Sequence, residues 1–299
     1  MIFNEEYPFS RNTWNRGNCI KMNYIDEGRG DPIVCVHGNP TWSFHFRNLI
    51  QGLSTMNRVI AVDHVGCGYS DKPSAENYGY RLQDRILDLE GLLDHLGIEN
   101  NATLVAHDWG GAIGFGVAGR KPERFRNLVA INTAAFPLQE GMSFPPILKP
   151  AKGMMGEFLI RKWNAFVLGT LSIGVKTRKL SRAEKAGYKA PYHDYKSRLA
   201  VHRFVEDIPL KSGDPSWSSL IEVENGLQKL QDHPLLLLWG AKDPVFNTDF
   251  LNHWRKLWPS AEVHLWDKAG HLLLDEVPEE ILPLIRKFRD STHPRGALA

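Results

Sequence analysis

The feature that most constrains this chain is an apolar strand that ends in a turn flanked by small residues. Residues 103–105 (TLV) are apolar and run directly into AHDWGG at residues 106–111. An apolar run of this kind predicts a buried strand. Ala106 and Gly110, two before and two after Asp108, allow a sharp, strained turn into a helix. Such an elbow presents its central side chain at the end of a strand.

The central residue of this elbow is a carboxylate, Asp108. A serine in this position attacks carbonyl groups, whereas a carboxylate is a weak nucleophile suited to displacing a good leaving group from carbon. We therefore expect Asp108 to be a nucleophile in alkyl transfer. The alternative is a surface turn in which Asp108 caps the following helix.

Composition excludes several classes of protein. The chain has 299 residues, 42% hydrophobic and 23% charged, which is typical of one large α/β domain with a substantial core. A net charge of +2 gives no indication of a nucleic-acid partner. Three scattered cysteines favour a reducing cytoplasm and form no metal-ligand spacing. The start of the chain resembles no secretory signal, and the longest mostly apolar stretch, 165–175, is shorter than the roughly 20 residues that span a bilayer. We therefore expect a cytoplasmic protein.

Strand and helix patterns alternate along most of the chain. A helix is predicted over 81–96, where leucine and isoleucine recur at helical spacing and Gly97 follows. The alternation predicts a mostly parallel sheet that binds ligands at the carboxyl ends of its strands. The predicted strands are 18–26, 31–36, 58–62, 103–106, 128–132, 235–239 and 262–265.

One long segment breaks the alternation. Between residues 138 and 210 there is a proline-rich entry followed by helical patterns with many aromatic residues, and no buried strand is predicted. We expect a helical cap, inserted after the sixth strand, over a core formed by 1–137 and 211–299. Ordinary crossover helices are the alternative, although this is a long connection. The end of the chain, 291–296, is predicted to be frayed.

Two further residues are candidates for binding a leaving group. Asn39 lies in HGNP (37–40), directly after a predicted strand, and Trp109 follows Asp108. The amide of Asn39 and the indole N–H of Trp109 would donate hydrogen bonds to negative charge that develops on a departing group. The alternatives are a turn residue before proline for Asn39 and simple packing for Trp109.

A histidine and a second aspartate complete the pattern. His271 follows the last predicted strand, which is the expected place for a general base. Asp243 follows the strand 235–238 and would fix the orientation of His271 and stabilise its protonated form. Taken alone, His271 reads as a structural or surface histidine and Asp243 as part of an Asp-Pro turn.

Three motifs carry a family resemblance. HGNPTW (37–42), DHVGCGYSDKP (63–73) and HDWGG (107–111) resemble the haloalkane dehalogenase branch of the α/β-hydrolases, over nearly the whole chain. The resemblance implies an α/β-hydrolase fold with a mostly parallel eight-stranded sheet, a helical cap after strand 6, and no metal or organic cofactor. Some dehalogenases carry the acid as a glutamate after the sixth strand, where this chain has Asn132 and Thr133. The implied roles are Asp108 as nucleophile, His271 as base, Asp243 as acid, and Asn39 and Trp109 as leaving-group donors.

Segments in and around the cap refine the resemblance. NTAAF (132–136), GYKAPY (187–192) and FVEDIPL (204–210) are similar to the cis-β-lactone decarboxylases of bacterial long-chain olefin biosynthesis. This implies conversion of a cis-3-alkyl-4-alkyloxetan-2-one to a cis-alkene and CO2, with the β-lactone synthetase and other olefin-pathway enzymes as partners. Two alkyl arms would need an apolar cleft. Candidate lining residues, which are otherwise simply core, are Phe136, Phe158, Phe166, Leu168 and Phe204.

Three alternative functions remain open at this point. A hydrolytic haloalkane dehalogenase would share every catalytic residue. An epoxide hydrolase also uses an aspartate at the elbow, but it needs acidic tyrosines on the cap, for which Tyr188, Tyr192 and Tyr195 are candidates. The asparagine in HGNP argues against that activity. A silent binding protein on the same scaffold is the third alternative.

Overall fold

The computed structural model describes residues 2–292 and contains an eight-stranded sheet. The strand order is β1-β2-β4-β3-β5-β6-β7-β8; β2 is antiparallel to β1 and β4, and the remaining neighbours are parallel. This confirms the predicted fold class. The strands are Arg11–Gly17 (β1), Ile20–Glu27 (β2), Pro32–Val36 (β3), Arg58–Val62 (β4), Ala102–Asp108 (β5), Phe125–Thr133 (β6), Leu235–Gly240 (β7) and Glu262–Trp266 (β8).

The first strand is the one that the sequence pattern missed. β1 lies at the sheet edge, and its side chains alternate between exposed and half-buried, so it has no apolar run to detect. The prediction also began β2 two residues too early. Asn18 and Cys19 have φ angles of 51° and 57° and form the turn between β1 and β2.

Helices cover both faces of the sheet. Alternate side chains of β3 point to opposite faces, so that Val34 and Val36 join one hydrophobic cluster while Ile33 and Cys35 join the other. The helix predicted over 81–96 is present as α2. The helices of the core are Arg47–Leu53 (α1), Leu82–His95 (α2), Trp109–Arg120 (α3), Trp217–Gly226 (α8), Thr248–Leu257 (α9), Leu273–Glu276 (α10) and Pro278–Thr292 (α11).

The segment 138–210 contains no strand and forms four α-helices after a short 3-10 helix, Pro146–Ala151. These are Gly153–Trp163 (α4), Ala165–Ile173 (α5), Arg182–Lys189 (α6) and Leu199–Glu206 (α7). A buried arginine joins this segment to the core, because Arg47 donates to Glu184 of α6 at 2.9 Å and to Asp275 of α10 at 2.7 Å.

The frayed end predicted over 291–296 is wrong at its first two residues. Ser291 and Thr292 belong to α11, where their hydroxyl groups donate to the carbonyl of Phe288. The remainder of that segment lies outside the described residues.

Candidate active site

The turn at Asp108 is strained, as its sequence predicts. Asp108 ends β5 with φ of +54°, a value that side-chain-bearing residues seldom adopt, and α3 begins at the next residue. Neighbouring glycines make room for this turn. A Cβ on Gly38 would lie 2.0 Å from Asp108 Oδ1, and one on Gly110 would lie 1.9 Å from the carbonyl oxygen of Val36. Both positions therefore require glycine.

The carboxylate of Asp108 is buried and is held by backbone donors. Its Oδ1 accepts from the amide of Asn39 at 2.6 Å, and the amide of Trp109 also donates to it. Burial raises the pKa of Asp108 to about 6, while His271 and these amides limit the rise. The backbone carbonyl of Asp108 accepts from the hydroxyl of Thr133. Asp108 is therefore ionised at neutral pH and fixed in orientation.

His271 lies between two carboxylates. Its Nδ1 is 2.7 Å from Asp243 Oδ2, and its Nε2 is 3.7 Å from Asp108 Oδ2. Asp243 is itself fixed, because its Oδ1 accepts from the amides of Val245 and Phe246. Burial opposes the charged form of His271, but the charge and hydrogen bond of Asp243 outweigh it and raise the pKa to about 9. The side chain is therefore an imidazolium at neutral pH.

The position of Asn132 bears on which residue is the acid. Its Oδ1 accepts from the amide of Gly240 at 2.8 Å, and its Nδ2 donates to the carbonyl of Gly240 at 3.1 Å. Asn132 thus fastens the end of β6 to the end of β7. The structure brings Asp243, and no carboxylate from β6, to His271.

His107 contacts the site, although sequence reasoning gave it no role. Its Nε2 donates to the backbone carbonyl of His271 at 2.9 Å, and the two rings lie 4.6 Å apart. Burial lowers the pKa of His107 well below the usual range, so it is neutral. The sequence offered a signal for this contact, because His107 directly precedes Asp108 at the end of β5. Its side chain reaches the loop after β8, which carries His271.

The two predicted leaving-group donors both line the cavity in front of Asp108. Asn39 Nδ2 donates to the carbonyl of Val201 in α7 at 3.0 Å, which occupies one of its two hydrogens. Trp109 packs against Phe204 at 5.4 Å, and among the described residues its indole N–H has no acceptor. No sequence signal could have found the contact with Val201, because it is made by a backbone carbonyl.

The cavity has a volume of about 300 Å³ and is mainly apolar. The segment 138–210 contributes Leu159, Ile160 and Ile173, and the loop after β7 contributes Val245 and Phe246. In the described part of the chain no three His, Cys, Asp or Glu side chains are grouped to hold a metal ion. The polar groups at the cavity are Asn39, Asp108, the Trp109 indole, Thr170 and His271.

Of the five predicted lining residues, Phe136 and Phe166 line the cavity. The prediction is wrong for the other three. Phe158 and Leu168 point away from the cavity and are 50% and 44% exposed. Phe204 is fully buried behind Trp109, where the guanidinium of Arg85 covers its ring at 3.4 Å. Aromatic content in segment 138–210 could not tell the side chains that line the cavity from those exposed to solvent.

The tyrosines of segment 138–210 do not reach Asp108. The hydroxyl of Tyr188 donates to Asp275 at 2.5 Å, and that of Tyr192 donates to the carbonyl of Thr41. Tyr195 is 45% exposed. None of these side chains lines the cavity, so the acidic pair that an epoxide hydrolase needs is missing from the site as described.

Comparisons with known proteins agree with this geometry. The model of the α/β-hydrolase fold family matches residues 31–278. The chain is 42% identical to a protein of Shewanella oneidensis named cis-3-alkyl-4-alkyloxetan-2-one decarboxylase, over 95% of this chain and 90% of that protein. It is also 42% identical to a protein of the same name from Xanthomonas campestris, over 90% and 92%.

Solved structures give the same fold. A haloalkane dehalogenase from Bradyrhizobium elkani aligns with a TM-score of 0.84 at 28% sequence identity, covering 96% of this chain and all of that one. In residues 2–292 no helix is both long enough and apolar enough to cross a bilayer. This chain belongs to the α/β-hydrolase fold family, with an aspartate at the turn between β5 and α3 and named β-lactone decarboxylases among its relatives.

Proposed function

We propose that this protein converts a cis-3-alkyl-4-alkyloxetan-2-one to a cis-alkene and CO2, with Asp108 as the nucleophile. The observation that carries the proposal is a buried, ionised carboxylate at one end of a mainly apolar cavity. Beside it lie two side chains, Asn39 and Trp109, that can donate hydrogen bonds to an anion. A carboxylate displaces leaving groups from alkyl carbon, and a β-lactone offers a carboxylate as the leaving group. The two relatives at 42% identity carry the name of this activity.

In the first step Asp108 attacks C4, the alkyl carbon of the ring that is bonded to the ring oxygen. The bond between this carbon and the oxygen breaks, and its electron pair stays on the oxygen as part of a carboxylate. The second amide hydrogen of Asn39 and the indole N–H of Trp109 receive that negative charge. Relief of strain in the four-membered ring favours the step.

In the second step the intermediate collapses. The bond between carbon and the carboxylate breaks to give CO2, its electrons form the alkene, and the ester bond to Asp108 breaks to restore the aspartate. The imidazolium of His271, 3.7 Å from Asp108 Oδ2, stabilises the carboxylate that re-forms. We therefore assign His271 an electrostatic role, with Asp243 holding it protonated.

The stereochemistry is consistent with this route. Displacement inverts the attacked carbon, and an anti elimination follows. Together these give the alkene that a direct syn loss of CO2 would give, so a cis-lactone yields a cis-alkene. No hydrolytic water is needed in either step.

The cap and the cell context complete the proposal. We assign 138–210 as a cap that closes the cavity and receives the alkyl arms, over a core of 1–137 and 211–299. We place the enzyme in the cytoplasm, beside the β-lactone synthetase and the other enzymes of an olefin pathway. Co-purification of these enzymes with the tagged chain would test that placement.

The test is a product analysis with a cis-β-lactone whose ring oxygen carries a heavy isotope. The expected result is cis-alkene and labelled CO2 from the wild-type protein and neither from Asp108→Asn. Label that stays out of CO2 would indicate attack at the lactone carbonyl. A β-hydroxy acid as the product would overturn decarboxylation.

Haloalkane dehalogenation is the second candidate, and the match to a solved dehalogenase favours it. In that reaction halide leaves toward Asn39 and Trp109, and His271 must be neutral to activate water against the alkyl ester. Halide release from a bromoalkane at a rate above that of alkene formation from the lactone would make this the main activity.

A further inference from the structure

The outward surface of the cap is apolar where a surface helix is normally polar. On α4, Met154, Met155 and Phe158 are 89%, 68% and 50% exposed. Leu159 and Ile160 of the same helix line the cavity. A helix that is apolar on both sides is ordinarily buried between other elements, yet α4 has water on one side.

The neighbouring helix extends this surface. α5 has the sequence AFVLGTLSI and carries no charged residue, and its Leu168 is 44% exposed. Trp163, at the end of α4, is 62% exposed. We call the exposed set Met154, Met155, Phe158, Trp163 and Leu168 the outer cap face. These exposed apolar side chains lie on two helices that pack against each other, and exposed apolar surface of this kind marks an interaction site.

The cavity opens beside the outer cap face. Ile147 and Leu210 line the cavity and are 43% and 38% exposed. The 3-10 helix that contains Ile147 leads directly into α4 and packs against it. An apolar molecule leaving the cavity therefore meets exposed apolar side chains at its opening.

The cap is also strongly basic. Residues 138–210 contain 13 lysine and arginine residues against 6 aspartate and glutamate residues, a net charge of +7, while the rest of the chain has a net charge of −5. Exposed Lys149 and Lys162 are next to the apolar residues, and Glu157, the acidic residue of α4, is paired with Arg161. Exposed apolar residues flanked by lysine are typical of segments that bind anionic lipid surfaces.

We propose that the outer cap face docks on an anionic lipid surface, so that the cavity opens into the bilayer. The charge asymmetry orients the molecule, because the cap is attracted to the lipid and the core is repelled by it. A second copy of the chain is a poorer occupant, since two caps of charge +7 would face each other. A lactone with two alkyl arms dissolves in the bilayer and would enter the cavity from there. Lipid binding itself does not depend on the proposed function.

The test is sedimentation of the full chain with vesicles. We expect binding to vesicles made of equal amounts of phosphatidylcholine and phosphatidylglycerol, weaker binding at high salt, and little binding to phosphatidylcholine alone. The double variant Met154→Ser, Phe158→Ser should weaken binding by on the order of tenfold. Its matched control is Met56→Ser, Leu87→Ser, which changes two exposed apolar residues of the core, 66% and 46% exposed.

A second pair of variants tests the charge. Lys149→Glu, Lys162→Glu should weaken binding by about tenfold or more, and Lys256→Glu, Lys287→Glu on the core should not. Equal loss with the cap and core variants would overturn the proposal. So would a lack of binding to the anionic vesicles, or a dimer in solution that the Met154→Ser, Phe158→Ser variant dissociates.

An activity ratio separates this proposal from the proposed function. For Met154→Ser, Phe158→Ser, alkene formation from vesicle-embedded lactone should fall relative to formation from detergent-dispersed lactone. An unchanged ratio would overturn docking as the route of entry. Absence of alkene from both preparations of wild-type protein would overturn the decarboxylase function and leave the sedimentation result standing.

Discussion

The carboxyl edge of the sheet and the cap face the same cavity but hold their side chains by different means. At the sheet edge the carboxylate of Asp108 and the imidazole of His271 have fixed partners, namely the amide of Asn39 and the carboxylate of Asp243. In the cap, Leu159 and Ile173 line the cavity with apolar side chains, which form no hydrogen bonds. Removing a partner at the edge changes the chemistry, whereas trimming the cap changes how well a substrate fits.

The largest effect is expected at Asp108. Asp108→Asn keeps the size of the side chain and removes the proposed nucleophile, so alkene formation should fall by at least about 10⁴-fold. Gas chromatography of the products measures it, with thermal unfolding as the control for folding. Turnover within tenfold of wild type would show that Asp108, at the carboxyl edge of the sheet, is not needed for the reaction.

Asn39→Ala is expected to be next in size. Loss of a preorganised donor to a developing anion typically lowers kcat by about 10²–10³-fold. The measurement is kcat and KM with the lactone, and Asn252→Ala, an exposed residue of α9, is the control. A change in KM alone would mean that Asn39 only ties the cap to the core through Val201.

The difference between the sheet edge and the cap also explains which parts of the site could be predicted from the sequence. The elbow, Asp243 and His271 follow strands whose apolar runs are visible, and the shared edge of a parallel sheet brings them together. β1 was missed because an exposed edge strand has no apolar run. Phe158 and Leu168 were misplaced because an apolar residue on an unpartnered helix face resembles one that lines a cavity.

The pH dependence sharpens the comparison because both titrating groups lie at the edge. In the proposed reaction Asp108 must be ionised to attack, and its pKa of about 6 predicts that kcat/KM falls below that pH. The fall should be about tenfold per pH unit, or about 10²-fold two units below.

The second limb tests the role of His271, whose pKa of about 9 means that it loses its proton above that pH. Activity should then fall if the imidazolium stabilises the carboxylate that re-forms on Asp108. A rise toward pH 9 instead would identify His271 as a general base and favour hydrolysis. Rates measured over the acid and alkaline sides of the pH profile distinguish these two roles of His271. The variant Asp243→Asn should shift the alkaline side to lower pH.

The smallest effect is expected in the cap, where two adjacent residues of α4 form a matched pair. Leu159 lines the cavity, and Phe158 points outward. Leu159→Ala should lower kcat/KM for detergent-dispersed lactone by about tenfold, because lost apolar contact in a pocket is worth about 1–3 kcal/mol. Phe158→Ala removes the larger side chain, yet it should change this value less than twofold, by the same reasoning.

The loss at Leu159 should also grow with the length of the alkyl arms, because longer arms contact more of the cap. Equal losses in the two variants would show that the inner and outer faces of α4 do not differ in function, and the division between edge and cap would then fail at this helix.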